Sequence, residues 1–147
     1  MSVLLEILNN RIIQGGFLAW AIAQGLKVLL TLIISRKFDS TRLWGSGGMP
    51  SSHSSTTCAL MMLIGYSEGF DSAVFALAFA FSAIVMYDAA GVRRSTGKNA
   101  AVLNRLIDDL YKDGSFHEEH LKELVGHTPL QVLAGAMLGI IIGTLMA

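Results

Sequence analysis

Four apolar stretches, separated by polar segments, organise the chain. They run from about Ile12 to Ile34, from Ser54 to Ile64, from Ser72 to Tyr87 and from Pro129 to Ala147. A helix that crosses a membrane needs about 20 apolar residues, so the second and third stretches are expected to be tilted or shielded by neighbours. Gly65 and Gly69 indicate a tight turn between them. The pattern predicts an all-α polytopic membrane helix bundle with about four membrane-embedded helices.

A polar segment from Asp88 to Gly126 separates the third and fourth stretches. Its apolar residues recur at helical spacing at Leu103, Leu106, Ile107, Leu110 and Tyr111. This periodicity predicts an amphipathic helix on the membrane face or over the bundle. Ser115 and Glu118 resemble a capping box that opens a second short helix through Val125. His117 and His120 in that helix are expected on a solvated face rather than in a metal site.

Composition supports a membrane protein. The 147 residues are 52% hydrophobic and 15% charged, with a mean hydropathy of +0.54, and we expect residues 1–147 to form a single integral membrane domain. The net charge of +0 gives no global field that would attract nucleic acid. The one cysteine, Cys58, lies in an apolar run and is expected to be a small buried hydrophobe.

Topology brings the polar motifs to one side of the membrane. If all four stretches cross, the segments from Arg36 to His53, Asp88 to Arg94 and Gly126 to Gln131 share one face. That face also carries most of the basic residues, namely Arg36, Lys37, Arg42, Arg93, Arg94, Lys98, Arg105, Lys112 and Lys122. Only Arg11 lies clearly on the other face. The positive-inside rule therefore predicts a cytoplasmic motif face in the plasma membrane, with both termini outside.

Two histidines stand where a polar loop turns into an apolar helix. His53 follows Pro50-Ser51-Ser52, and His127 precedes Thr128-Pro129. A helix start offers free N–H groups and the positive end of the helix dipole, which favour an anion such as phosphate. A neutral imidazole at His127 has the chemistry to attack phosphorus, and His53 could protonate the departing alkoxide. The plainer interpretation is that both histidines only cap helices.

Further polar residues on this face are candidates for holding phosphate oxygens. They are Ser51, Ser52, Lys27, Arg36, Arg93 and Arg94. Lys27 lies inside the first apolar stretch, where an unpaired charge is costly, so a functional role is favoured over snorkelling. Arg36 fits an interfacial anchor equally well. Asp88 arrives with a glycine and two arginines, and it could orient a histidine or pair with an arginine.

The two histidine motifs resemble those of the type-2 phosphatidic acid phosphatase superfamily, which includes vanadium haloperoxidases. Pro50-Ser51-Ser52-His53 is similar to its Pro-Ser-Gly-His motif, with Ser52 in place of glycine. The segment from His127 to Gly135 is similar to its His-x-x-x-Asp motif, with Gln131 in place of the aspartate. Together with the segment from Val85 to Arg94, the pattern is similar to the divergent branch labelled acid phosphatase/vanadium-dependent haloperoxidase-related.

The resemblance implies roles for particular residues. His127 would be the nucleophile and His53 the general acid of a phosphatase that needs no metal or other cofactor and accepts vanadate as a phosphate mimic. The superfamily's Lys…Arg-Pro and Ser-Arg elements are not recognisable here. Asp88 is a candidate replacement for the missing carboxylate, with Glu123 a weaker one, and Gln131 could form a capping box with Thr128.

The function predicted is hydrolysis of a lipid phosphomonoester or pyrophosphate through a phosphohistidine. A non-catalytic phosphate or phospholipid-headgroup binding or transport protein is the alternative, and a purely structural membrane protein is a third. The expected partner is a membrane lipid, specifically a lipid phosphate, with no nucleic acid. A stripe of Gly135, Gly139 and Gly143 on the last span indicates close helix packing or a homo-oligomer.

Overall fold

The computed structural model describes residues 2–35, 48–110 and 126–147. Its helices are α1 (Val3–Leu8), α2 (Arg11–Ser35), α3 (Ser52–Glu68), α4 (Ala73–Ala90), α5 (Val92–Leu110) and α6 (Pro129–Leu145). All regular structure in these ranges is helical, which confirms the all-α class. Two segments, Arg11–Ile33 and Ala73–Ile107, are long and apolar enough to cross a membrane, and α6 is a shorter apolar helix.

The helices differ from the sequence-based expectation at several boundaries. α3 is longer at both ends than its apolar core suggests, so Gly65 lies inside it and the chain turns at Gly69, whose φ is +93°. α5 begins at Val92, well before the predicted amphipathic periodicity. The short N-terminal helix α1 was not predicted at all. The predicted helix from 115 to 125, with its two histidines and Glu123, lies outside the described residues.

Helix α3 is the centre of the bundle and packs against α2, α4 and α6. The closest approach is to α6, where Gly135, Gly139 and Gly143 lie against the α3 backbone. A Cβ at Gly135 would overlap the carbonyl oxygen of Ser51, the residue that caps α3, and one at Gly139 would overlap that of Ser55 within α3. A Cβ at Gly143 would lie 2.8 Å from the carbonyl oxygen of Ala59. Small residues let two helix backbones approach this closely. The glycine stripe is therefore accounted for by packing within one chain.

Buried hydroxyl groups join the helices of the bundle. The Ser55 hydroxyl donates to the carbonyl of Ala19 on α2 at 3.2 Å, and the Ser82 hydroxyl on α4 donates to the carbonyl of Thr57 at 3.0 Å. Both serine side chains are fully buried. A buried hydroxyl needs a hydrogen-bond partner, and a backbone carbonyl on a neighbouring helix supplies one. These bonds fix α3 relative to α2 and α4.

Candidate phosphate site

The N-terminal ends of α3 and α6 meet. The backbone N–H of Ser51 donates to the carbonyl of Gln131 at 3.0 Å. Ser51 caps α3 by accepting from the N–H of Ser54, and Thr128 caps α6 through a capping box with Gln131. The capping box confirms the sequence-based suggestion. Two helix starts, each with its dipole's positive end, are thus held side by side.

The loop before α6 is anchored to the junction of α4 and α5. The backbone N–H of His127 donates to the carbonyl of Ala89 at 3.0 Å. Gly126 has a φ of +123°, which glycine adopts without strain, and a Cβ there would lie 2.6 Å from the backbone nitrogen of Arg94. A side chain at position 126 would therefore push the loop away from α5. The glycine keeps His127 against the end of α4.

Both histidines line one small pocket. Its lining consists of His53, Val85, Asp88, Ala89, Arg93, Gly126 and His127. The cavity volume is about 20 Å³, enough for roughly one water-sized group. Within it Nε of Arg93 donates to Oδ2 of Asp88 at 2.7 Å, and both side chains are partly exposed. The two histidines, Asp88 and Arg93 thus meet at one small opening.

Gln131 orients the His127 ring. Its Oε1 accepts the backbone N–H of Thr128 at 3.0 Å, and the same Oε1 lies 3.3 Å from Nδ1 of His127. The atom that faces Thr128 N–H must be the amide oxygen, because the amide nitrogen cannot accept. Nδ1 of a neutral His127 is therefore assigned as the N–H donor to Gln131. This tautomer leaves Nε2 with its lone pair, which is the form that a nucleophile needs.

The surroundings of His127 favour its neutral form. The side chain is 4% exposed. Burial, assisted by the positive charges of Lys27 and His53, lowers its pKa from the ordinary 6.5, although hydrogen bonds to Gln131 and to the backbone of Gly48 act in the opposite direction. Desolvation disfavours the imidazolium because a charged ring loses more hydration than a neutral one. The ring is thus unprotonated near neutral pH.

Lys27 lies behind the two histidines. It is 1% exposed, and its Nζ donates to Oε1 of Gln24 at 2.5 Å on the same helix. Gly48, with a φ of +85°, packs on the Lys27 stem, since a Cβ there would lie 3.0 Å from Cγ. The lysine is close enough to act electrostatically on both His53 and His127. Gln24 was missed from sequence, although its place three residues before Lys27 in an apolar helix was an available signal.

The other predicted site residues are placed differently. Ser51 is fully buried with its hydroxyl engaged in the cap of α3, and Ser52 is buried as the first residue of that helix. Arg94 is exposed and does not line the pocket, whereas Arg93 does. Arg36 lies outside the described residues. The structure thus brings together His127, His53, Asp88 and Arg93, with Lys27 behind them.

The site thus lies in an all-helical bundle with two candidate membrane spans, where the starts of α3 and α6 bring two histidines beside Arg93 at the junction of α4 and α5. The chain matches the Divergent PAP2 family over residues 8–142 and belongs to that family. It is also 37% identical to the "Uncharacterized membrane protein YuiD" of Bacillus subtilis (strain 168), over 97% of this chain and 98% of that protein. No solved structure matches it significantly.

Proposed function

We propose that the protein is a phosphatase that hydrolyses a lipid phosphomonoester or pyrophosphate through a phosphohistidine on His127. The observation that carries this proposal is the shared pocket of His127 and His53, in which Gln131 holds the nucleophile's tautomer. Arg93 at the same pocket supplies paired donors for phosphate oxygens, and Lys27 adds a buried positive charge behind it. Family membership supports a phosphatase-related role.

The proposed reaction has two steps. Nε2 of His127 attacks phosphorus, an N–P bond forms, and the P–O bond to the lipid breaks while His53 gives its proton to the leaving oxygen. Water then attacks the phosphohistidine and gives a proton to His53, and the N–P bond breaks to release phosphate. The second step returns the proton to His53 and frees Nε2 of His127, so both histidines are ready for the next turnover. Arg93 would stabilise the charge on the equatorial oxygens in both transition states.

Gln131 performs only part of the role that a carboxylate would have at this position. An aspartate fixes the ring tautomer and stabilises the imidazolium with its charge, whereas the amide oxygen of Gln131 fixes the tautomer and stabilises the charged ring only through a hydrogen bond. In the proposed reaction the nucleophile starts neutral, so orientation is the task that the attack requires. Asp88 lies in the pocket as the remaining carboxylate, held by Arg93, and we assign it the positioning of that arginine.

We place the protein in the plasma membrane with α2, α3, α4 and α6 embedded and the histidine pocket facing the cytoplasm. The support is the apolar character of Arg11–Ile33 and of α4, which is the apolar part of Ala73–Ile107, and the position of Arg93 and Arg94 at the pocket end of α4. Basic residues concentrate on the cytoplasmic side of membrane proteins. In this placement the pocket lies at the level of lipid headgroups.

The second candidate is binding or transport of phosphate or a phospholipid headgroup without hydrolysis. The neutral Gln131 beside His127 favours it, because an amide oxygen stabilises a positive ring through a hydrogen bond alone, without the negative charge of a carboxylate. The same arginine and helix starts would then hold the anion. The two candidates differ in turnover and not in affinity.

Phosphate release by the purified protein in detergent separates the candidates. Phosphatidate, phosphatidylglycerophosphate and prenyl pyrophosphates form the substrate panel, with EDTA present and His127→Ala as the matched variant. Release that survives EDTA and disappears in the variant supports a histidine phosphatase. Absence of release from folded wild-type protein across the panel overturns the enzyme proposal, and saturable vanadate binding that needs His127 would then support the binding protein.

A further inference from the structure

A second cavity lies between α3 and α4, on the side of the bundle that carries the histidine pocket. It has a volume of about 330 Å³, within the range of small-molecule sites. Its lining residues are Thr57, Leu60 and Ile64 from α3 and Val74, Leu77, Ala78 and Phe81 from α4. Apart from the threonine these side chains are apolar. The cavity is suited to a hydrocarbon group.

The cavity and the histidine pocket are lined by the same face of α3 and the same face of α4. His53, Thr57, Leu60 and Ile64 are spaced by four, three and four residues, so they share one face of α3. Residues of α4 that line the two cavities are also spaced by three or four and so share one face of that helix. From the pocket to the cavity these are Asp88, Val85, Phe81, Ala78 and Val74. A single helical turn separates the last pocket residue from the first cavity residue on each helix. We name the surface formed by these two helix faces the α3–α4 groove.

The length of the α3–α4 groove corresponds to one leaflet. From His53 to Ile64 the helix rises about 16 Å, at about 1.5 Å per residue. The hydrocarbon core of a bilayer is about 30 Å thick, so the groove extends over roughly half of it. Its polar end is the pocket that contains the two histidines and Arg93. An occupant with a charged end and an apolar chain of one leaflet's length fits this distribution.

We propose that the α3–α4 groove holds one hydrocarbon chain of the lipid whose phosphate reaches His127. This inference rests on the proposed function and narrows its substrate class to lipids whose phosphate is close to a long apolar chain. The pocket of about 20 Å³ has no room for a hydrocarbon chain, whereas the cavity of about 330 Å³ does. The groove would therefore select substrates by chain length, while the histidines and Arg93 perform the chemistry.

The test fills the groove without touching the pocket. Ala78→Phe places a ring in the cavity, and Ala83→Phe adds the same ring on an exposed position of the opposite face of α4 as the matched control. The probes are dioleoyl phosphatidate and its water-soluble dihexanoyl analogue. Farnesyl pyrophosphate and dimethylallyl pyrophosphate form the equivalent pair if prenyl pyrophosphates are the class hydrolysed.

The proposal expects Ala78→Phe to lower kcat/KM for the long-chain probe about tenfold, the equivalent of losing contact with roughly two methylene groups. The short-chain probe should be hydrolysed at the wild-type rate by both variants. Equal effects of Ala78→Phe and Ala83→Phe on the long-chain probe would overturn the proposal that the groove holds the chain. The proposed phosphatase activity would not be affected by that result.

A binding measurement decides the proposal even if the wild-type protein hydrolyses nothing. Phosphatidate with a photoreactive diazirine in mid-chain is cross-linked to wild-type protein in vesicles, and the labelled peptides are identified. Labels concentrated between Thr57 and Phe81, and reduced in Ala78→Phe, support the groove. Labels spread evenly over α2 and α6, or efficient cross-linking between two copies through Ala78→Cys in a Cys58→Ala chain, would show a different occupant and overturn it.

Discussion

Gln131 and His127 are joined through one amide oxygen, which accepts from Thr128 N–H and lies 3.3 Å from Nδ1 of the histidine. The residue that completes the cap of α6 is thus the residue that sets the ring of the proposed nucleophile. Helix initiation and tautomer selection depend on the same side chain. A substitution at position 131 changes both, and the choice of substituent separates them.

Gln131→Glu and Gln131→Leu should therefore have different consequences. A glutamate still accepts from both partners and adds a negative charge, which raises the pKa of His127 and stabilises its charged ring. A leucine accepts from neither, so nothing at position 131 then holds the proton on Nδ1 of His127. We expect kcat to fall about 100-fold or more. Steady-state kinetics on the panel substrate checks both. Wild-type kcat in folded Gln131→Leu would refute the orienting role.

The pH dependence of kcat/KM should have an acid limb below pH 6.5. The reactive form of His127 is neutral, and burial with the Lys27 charge holds its pKa below the ordinary value. As pH falls through that lowered pKa, the ring is protonated and the rate drops. Lys27→Met removes one of the causes and should move the limb upward, towards 6.5. A limb that stays in place would show that Lys27 does not act on His127.

A covalent phosphoenzyme should form on His127. Brief incubation with a radiolabelled substrate followed by alkaline quenching traps phosphohistidine, which is identified by mass spectrometry. His53→Ala lacks the proton donor for the leaving oxygen and the base for hydrolysis, so it should lower turnover by about 100- to 10,000-fold. His127→Ala should carry no label. Label on a serine or on no residue at all would contradict the two-step reaction.

The Asp88–Arg93 pair should affect binding more than chemistry. Asp88→Asn removes the charge that holds Arg93 at 2.7 Å, and we expect KM to rise about tenfold with kcat changed by less than that. Arg94→Met is the matched control, because Arg94 is adjacent but does not line the pocket. A large loss of kcat in Asp88→Asn would instead support this carboxylate as the partner of a histidine.

Gly139 should not tolerate a side chain. A Cβ there would overlap the carbonyl oxygen of Ser55, so Gly139→Ala should lower the free energy of unfolding by about 1–3 kcal/mol or more. Gly25→Ala on α2 is the control, since nothing lies within 4 Å of its Cβ and alanine is the better helix former. Thermal unfolding in one detergent compares the two. A Tm of Gly139→Ala equal to that of Gly25→Ala would contradict the tight α3–α6 contact.

Local chemistry made part of this structure predictable from sequence. The four apolar stretches, the proline and threonine at the start of α6, and the Thr128–Gln131 capping box all follow from composition and spacing within a few residues. α5 was harder, because its first half is polar and the apolar periodicity starts only near Leu103. Gly65 was wrongly predicted to lie in a turn. It lies inside α3, where the ring of Phe70 leaves no room for a Cβ, and the sequence alone does not distinguish a glycine required by packing from one required by a turn.

The relations between distant segments were not available from sequence alone. His53 and His127 could be paired as similar motifs, but the hydrogen bonds from Ser51 to Gln131 and from His127 to Ala89 join residues that are far apart in the chain. Nothing in either local pattern specifies them. The choice of Arg93 over Arg94 as the pocket residue likewise depends on how the first turn of α5 is rotated.

The hydrogen bond from His127 N–H to the carbonyl of Ala89 has a consequence for how the membrane itself acts on the site. Ala89 belongs to the last turn of α4, an 18-residue helix about 27 Å long. In the membrane placement proposed above, α4 would tilt further wherever the bilayer core is thinner than the helix is long. Because the proposed nucleophile is tied to the end of that helix, a change in tilt carries it along. If the proposed function holds, lipids that thin the bilayer would therefore change the rate by moving His127, whatever the occupancy of the pocket.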